Sequence, residues 1–265
     1  MISLLKRLYR RINPTPEVDL LRALRQRRLG KEPIGVELPS GRIVRGMKPL
    51  EAYNEYKDIF FKGIYRFSPV RPNPVILDAG AYVGFSALHF LEVHPNARLI
   101  LFECDPDILQ TLKNNLKGYE ERYELVQKAL SSENGEQTFF RSGDDGGSMV
   151  DDRGEALKVE TTTLLPWLEN EVDFLKMNIE GSEMATLRAC GKSLRKIREM
   201  VIEFHSFAEK EQELDHLLTT LKEAGFRYLV NHYDADSNFA CEPPFQLNKD
   251  TSYVLLVYAK RDDLL

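Results

Sequence analysis

Residues 74–105, PVILDAGAYVGFSALHFLEVHPNARLILFECD, read as a strand, a glycine turn, a helix, a second strand and an acidic end. Val75, Ile76 and Leu77 form an unbroken apolar run, and so do Leu99, Ile100, Leu101 and Phe102, the pattern of parallel strands covered on both faces. Between them, Asp78-Ala79-Gly80-Ala81-Tyr82-Val83-Gly84 ends one strand and opens a helix. Gly80 and Gly84 allow a sharp turn and a close approach of backbone to a ligand. Glu103 closes the second strand where a carboxylate suits ribose hydroxyls, and Phe85 and Cys104 flank the same turn and strand end. The unit points to a nucleoside-containing cofactor.

Working outward, strand and helix patterns alternate from residue 75 to 230. After the opening unit come a helix from Pro106, a strand over 123–129, and β-like runs at 137–141 and 157–162 joined by the Gly/Asp-rich stretch 142–148. A strand at 172–178, a helix at 182–191, a strand at 200–205 and a long amphipathic helix ending at Gly225 follow. Strands at 226–230 and 253–259 close the chain, the last expected antiparallel beside the sixth. This is an α/β chain with a doubly wound, mostly parallel seven-stranded sheet, and ligands are expected at the carboxyl ends of the strands. Upstream, 34–44 reads as a small hairpin around Pro39-Ser40-Gly41. Residues 50–61 read as a helix whose aromatics line a pocket or cover the sheet edge, coverage being the default for aromatics at helical spacing. Residues 1–73 are taken as an N-terminal cap and 74–265 as the main domain.

With 265 residues, 43% hydrophobic and 29% charged, the chain has ample material for a buried core. Its net charge of -5 gives no reason to expect nucleic acid as a partner. Charge is uneven: residues 1–31 carry nine Lys or Arg against two acids, a net of +7. Within 1–13, Ile2, Leu5, Leu8, Tyr9 and Ile12 share a helical face ringed by Lys6, Arg7, Arg10 and Arg11. Such a helix packs on its own domain or a second copy of the chain, or lies on an anionic membrane surface; packing is the simpler reading. Cys104, Cys190 and Cys241 are odd in number and lack C-x-x-C spacing, which favours a reducing cytoplasm. No apolar run reaches membrane-span length, and the early charges of the N-terminus do not support secretion.

A second cluster lies on FLKMNIEGSEMATLRACGKSL. Period-two alternation puts Lys176, Asn178 and Glu180 on one side of that strand, and Val201, Glu203 and His205 on one side of the next. Unpaired charge on buried strands is costly, so Glu180, Glu203 and His205 are candidate site residues, with a structural salt-bridge cluster as the competing account. The glycine turn alone is weaker. The G-x-G-x-x-G spacing of a nicotinamide site is absent, because Ala79 and Ala81 flank a single glycine.

These pieces together, VILDAGAYVGFSAL, LFECDPD, VQKALSSENGE, VETTTLLPWL, FLKMNIEGSEMATLRAC and VIEFH, resemble a class I S-adenosylmethionine-dependent methyltransferase, and more narrowly the FkbM family, over roughly residues 50–206. The resemblance implies a Rossmann-like methyltransferase fold. It implies that Asp78, Gly80 and Gly84 surround the methionine part of S-adenosyl-L-methionine, that Glu103 binds its ribose, and that Lys128 and Ala129 lie near the adenine. Two positions depart from the family pattern: Tyr82 stands where a small polar residue is usual, and Asn178 where Asp is usual in K-x-D-x-E-G.

Methyl transfer to an aliphatic hydroxyl needs a base, for which His205 is the first candidate and Glu180 the second, with Glu203 orienting His205 or holding the acceptor. Asn178, Glu180, Glu203 and His205 also offer ligand atoms for a divalent cation, so a metal-assisted version is open. The resemblance implies O-methylation of a sugar, glycan or secondary metabolite. N-methylation of a peptide or protein side chain, and a binding protein that kept the fold without activity, are the alternatives.

Overall fold

The computed structural model describes residues 35–38, 40–141, 147–150, 154–208, 210–232 and 251–264. The basic helices expected at 1–13 and 18–28, on which a membrane surface or second-copy contact rests, lie outside these residues, as do most of the 142–148 connection and Cys241. No helix among the described residues is long and apolar enough to cross a membrane.

In chain order the elements are β1 (Val36–Glu37), β2 (Ile43–Val44), α1 (Pro49–Glu55), β3 (Val75–Ala79), α2 (Phe85–Val93), β4 (Arg98–Phe102), α3 (Pro106–Asn115) and β5 (Tyr123–Val126). There follow β6 (Ala129–Leu130), β7 (Gly135–Arg141), β8 (Gly147–Ser148), β9 (Glu155–Thr162), β10 (Val172–Met177), α4 (Glu183–Cys190), β11 (Ile197–Ser206), α5 (Leu214–Glu223), β12 (Phe226–His232) and β13 (Tyr253–Arg261). They fall into two compact units that interleave along the chain. Of the described residues, one holds those up to Arg66 with Ala81–Pro95 and Pro106–Glu120, the other Phe67–Gly80, Asn96–Asp105 and those from Glu121 onward.

In the larger unit the apolar runs do what their composition requires. All six residues of β10 are buried, as are the last four of β3 and of β4. Seven strands form a sheet in the order β12-β13-β11-β10-β3-β4-β5, parallel except for β13, which runs antiparallel between β11 and β12. The chain winds outward from β3 through β4 to β5, then returns to β10 on the other side, so β3 and β10 flank the topological switch point. The core joins Leu77, Leu175 and Ile202 of the sheet to Leu187 of α4 and Leu217 and Leu221 of α5. Phe67 stacks on Phe174 at 4.4 Å between ring centroids. The expected strand over 123–129 is divided: Tyr123–Val126 pairs with β4, whereas Ala129–Leu130 joins a second sheet of order β6-β9-β7-β8. There Ala129, Phe139 and Val159 bury a small core of their own.

In the smaller unit, β1 and β2 form the expected hairpin, and the Arg42 guanidinium donates to the carbonyls of Asn115 and Lys117 at the C-terminal end of α3. α1 widens into a π-type turn over Tyr56–Lys62 that stops at Gly63 in the left-handed region. Its aromatics serve as cover: Phe60 stacks on Tyr56 and meets the edges of Phe85 and His89. Burial, with the charge of Arg66 and His94 nearby, lowers His89 to about 4, so it is neutral within this apolar packing.

The sheet contains a buried ion pair at the switch point, Lys176 Nζ to Asp78 Oδ1 at 3.3 Å, with side chains 4% and 0% exposed. Lys176→Ala leaves a buried carboxylate without its ammonium and is expected to lower the urea-unfolding free energy by roughly 3–5 kcal/mol. Arg227→Ala, which removes the exposed pair with Asp262, is expected to cost no more than about 1 kcal/mol in the same assay.

Candidate functional site

The carboxyl ends of β3, β4, β10 and β11 carry the charged residues that the sequence singles out. At the end of β3, Asp78 has no exposed surface and faces Lys176, which donates to the carbonyl of Gly80 at 2.6 Å and sits 3.4 Å from that of Ala79. Through Lys176, Asp78 bears on the turn that the sequence expects around the methionine part of the cofactor.

Gly80 has φ +81°, and a Cβ there would lie 1.8 Å from the carbonyl oxygen of Asn178. The glycine is required by the crossing of β10's end, where the Asn178 N–H also donates to Ala79 O at 3.0 Å. In the other unit Gly84, at φ +93°, leaves room for Leu112 and caps α2, Phe85 is buried, and Tyr82 takes a left-handed φ of 46°.

Glu103, just past β4, is half-buried, and its Oε1 accepts the N–H of Asp105 at 2.8 Å, which fixes the carboxylate's direction. Asp105 is buried against a forked Arg141, with Nε to Oδ2 at 2.8 Å and a terminal nitrogen to Oδ1 at 2.7 Å. Cys104 packs beside Ala129, Phe139 and Val159. Burial, then the Glu103 and Asp105 carboxylates, push its thiol well above the usual range, so it is a wall residue and not a nucleophile. Ala129 shares that wall. The ammonium of Lys128, the preceding residue, pairs with exposed Glu160 at 2.8 Å.

At the ends of β10 and β11 the predicted residues meet. Asn178 Nδ2 donates to Glu203 Oε2 at 3.1 Å, and Glu203 is buried. An aspartate at 178 would set two carboxylates against each other, so the asparagine is the compatible partner here. His205 lies between two carboxylates, Nδ1 at 3.0 Å from Glu183 and Nε2 at 3.4 Å from Glu180.

Glu183 escaped the sequence reading. It is 1% exposed, and its oxygens accept the amides of Ile179 and Gly181 at 3.0–3.2 Å, closing the 179–183 turn from the first residue of α4. Its legible signal was an acidic residue directly after Ser182 at a helix start. Glu180 is the exposed member, at 34%, and sits at φ 53°, a conformation that costs a non-glycine residue roughly 1–3 kcal/mol.

Burial alone would lower the His205 pKa, but the carboxylates of Glu183, Glu180 and Glu203 together outweigh it and push it up to about 9. That shift favours the imidazolium at neutral pH, with both ring nitrogens beside carboxylates. Glu180 is the least buried of the three carboxylates. Glu203, with burial, also raises the phenol of Tyr258.

Two acceptor groups fit the donors of S-adenosylmethionine. Glu103 is an acceptor suited to a ribose diol, and Asn178 Oδ1 is a buried acceptor with no hydrogen-bond partner among the described residues. No group of three His, Cys, Asp or Glu side chains among the described residues is arranged to hold a metal ion.

The strand order, the antiparallel β13 and the acidic strand ends define a Rossmann-like methyltransferase class of protein. Residues 78–228 match the methyltransferase FkbM domain, more than half of the chain, and the chain belongs to that family. It is 28% identical over 157 residues to the 2-O-methyltransferase NoeI of Sinorhizobium fredii (strain NBRC 101917 / NGR234), covering 51% of this chain and 64% of that protein. It is 26% identical over 217 residues to the AMB antimetabolite synthetase AmbE of Pseudomonas aeruginosa, covering 64% of this chain and 10% of that one. The chain thus spans less than two thirds of the length of these curated relatives. Among solved structures, Aeropyrum pernix fibrillarin with natively bound S-adenosyl-L-methionine aligns with a TM-score of 0.46 at 16% identity, over 78% of this chain and 76% of that chain.

The His205 ion pairs give a pH prediction. A folded-state pKa raised from 6.5 to about 9 contributes stability fully present below pH 6.5 and lost as pH rises through about 9, on the order of 3 kcal/mol. Urea unfolding across pH 6–10 is expected to show this loss in the natural chain and a much flatter profile in His205→Gln.

Proposed function

We propose that this protein is an S-adenosylmethionine-dependent methyltransferase that transfers a methyl group to an aliphatic hydroxyl on a sugar, glycan or secondary metabolite. Family membership supports the reaction class, and the relative named as a 2-O-methyltransferase favours oxygen as the acceptor atom. The observation that carries the reading is Glu180, a half-buried carboxylate held against His205, which is itself held by buried Glu183 at the carboxyl end of the sheet.

When bound, the cofactor supplies an electrophilic methyl on a sulfonium. Glu103 would hold the ribose hydroxyls, the wall of Cys104 and Ala129 would flank the adenine, and Asn178 Oδ1 would accept a hydrogen bond from the cofactor's ammonium or from the acceptor. Lys176, by holding the carbonyls of Ala79 and Gly80, fixes the turn that would receive the methionine part.

An alcohol oxygen that gains a methyl group becomes strongly acidic, so the base need not be strong but must be in place as the C–O bond forms. Glu180 takes that proton. The His205 imidazolium orients the Glu180 carboxylate and balances the carboxylates around it, and Glu183 fixes the imidazole from the buried side. His205 is thus a positioning residue in this scheme and Glu180 the base, the reverse of the order that the sequence suggests.

The test is incubation of the purified chain with methyl-labelled S-adenosylmethionine and cell extract separated into glycan, small-molecule and protein fractions. Label is expected in a hydroxyl-bearing glycan or small-molecule fraction as a stable ether; label confined to protein would favour N-methylation instead. Glu180→Gln is expected to reduce transfer on the order of 10²- to 10⁴-fold while leaving cofactor affinity within a few fold.

A further inference from the structure

Glu180 holds a left-handed backbone that persists only where its surroundings over-determine it. Part of that restraint is internal, through the Glu183 carboxylate on the amides of Ile179 and Gly181. The rest comes from another sheet. Ser148 of β8 is buried and donates its hydroxyl to the carbonyl of Glu180 at 2.5 Å, while accepting the N–H of Val150 at 2.9 Å. The next residue, Gly181, is wedged: a Cβ there would lie 2.6 Å from the Phe207 ring and 3.2 Å from the Val150 side chain.

β8 is two residues long and pairs with the end of β7, Phe140 opposite Ser148 and Arg141 opposite Gly147. The fit is close, since a Cβ on Gly147 would lie 2.3 Å from the Phe139 ring. Arg141, at the end of that ladder, forks onto Asp105, whose N–H holds Glu103. A short run therefore leads from Glu103 to Glu180: Asp105, the Arg141 fork, the β7–β8 ladder that pairs Arg141 with Gly147 and Phe140 with Ser148, and the Ser148 hydroxyl. The proposed chemistry uses none of these intervening residues.

We infer that Ser148 is a positioning residue that holds Glu180 in its working conformation, and that the Arg141–Asp105 fork couples this restraint to the cofactor side of the site. The inference rests on the roles proposed above for Glu103 and Glu180. A path of contacts is not yet a coupling energy, and the measurement that supplies one is the response of each end to a change at the other.

In the full-length chain, Ser148→Ala is expected to speed amide hydrogen exchange at 179–181 about tenfold, the loss of one hydrogen bond. It should reduce labelled methyl incorporation from S-adenosylmethionine on the order of 10- to 100-fold while cofactor affinity stays within twofold, and Ser148→Thr, which keeps the hydroxyl, should restore both. Arg141→Lys keeps the charge but loses the fork. It is expected to speed exchange at 179–181 and to weaken S-adenosylmethionine binding, each severalfold, with the melting transition intact. Unchanged exchange at 179–181 in Ser148→Ala overturns the positioning role, and unchanged exchange there in Arg141→Lys overturns the coupling. A natural chain that fails to bind S-adenosylmethionine would instead overturn the functional reading, because the exchange measurements need no cofactor.

Discussion

The Lys176 ammonium is the interaction on which the site is built. It lies at the switch point of the sheet, bonded on one side to Asp78 and on the other to the Gly80 carbonyl. Two buried charges stay buried only because they meet each other and the ends of the backbone around them. Their meeting locks the last residues of β3 and β10 together where the chain must turn away from the sheet. Gly80 completes the lock by leaving room for the Asn178 carbonyl.

From that fixed edge the remaining charges arrange by strand. β4 delivers Glu103, and β10 and β11 deliver Asn178, Glu203 and His205, each with a defined partner. Glu183 is the quiet member of this set. Buried at the start of α4, it closes the turn that carries Glu180 and orders the imidazole beside it. The result is a graded site: a wholly buried carboxylate, a buried imidazolium, and one carboxylate within reach of solvent. Such grading is how an enzyme keeps a reacting group in place without reorganisation at the moment of reaction.

Much of this was legible in the sequence, for stated reasons. Unbroken apolar runs on β3 and β4 announced a parallel sheet because both faces of those strands are covered, and period-two alternation found Asn178, Glu180, Glu203 and His205 because they lie at the ends of two neighbouring strands. What the sequence could not carry was register. Lys176 stands opposite Asp78 across the β3–β10 ladder, a pairing of residues 98 positions apart in the chain that no local pattern encodes. For the same reason the Asn178 carbonyl, against which Gly80 must fit, could not be read from the turn. The Lys128–Glu160 pair is likewise a contact that no local pattern encodes. Ser148, a small polar residue in a Gly/Asp-rich stretch, had no signal at all until its hydroxyl was found on the Glu180 carbonyl. Asn178, which on the sequence looked like a loss, has its counterpart in Glu203, which an aspartate there would repel.

The central claim is that the strand ends of one sheet divide the work, β4 holding the nucleoside and β10 and β11 the acceptor. Calorimetric titration of S-adenosylmethionine into the natural chain and into Glu103→Gln tests it most directly. The account predicts one equivalent bound by the natural chain and affinity at least about tenfold weaker in Glu103→Gln, the cost of a lost charge-assisted hydrogen bond. No binding to the natural chain, or equal affinity in both, would contradict it.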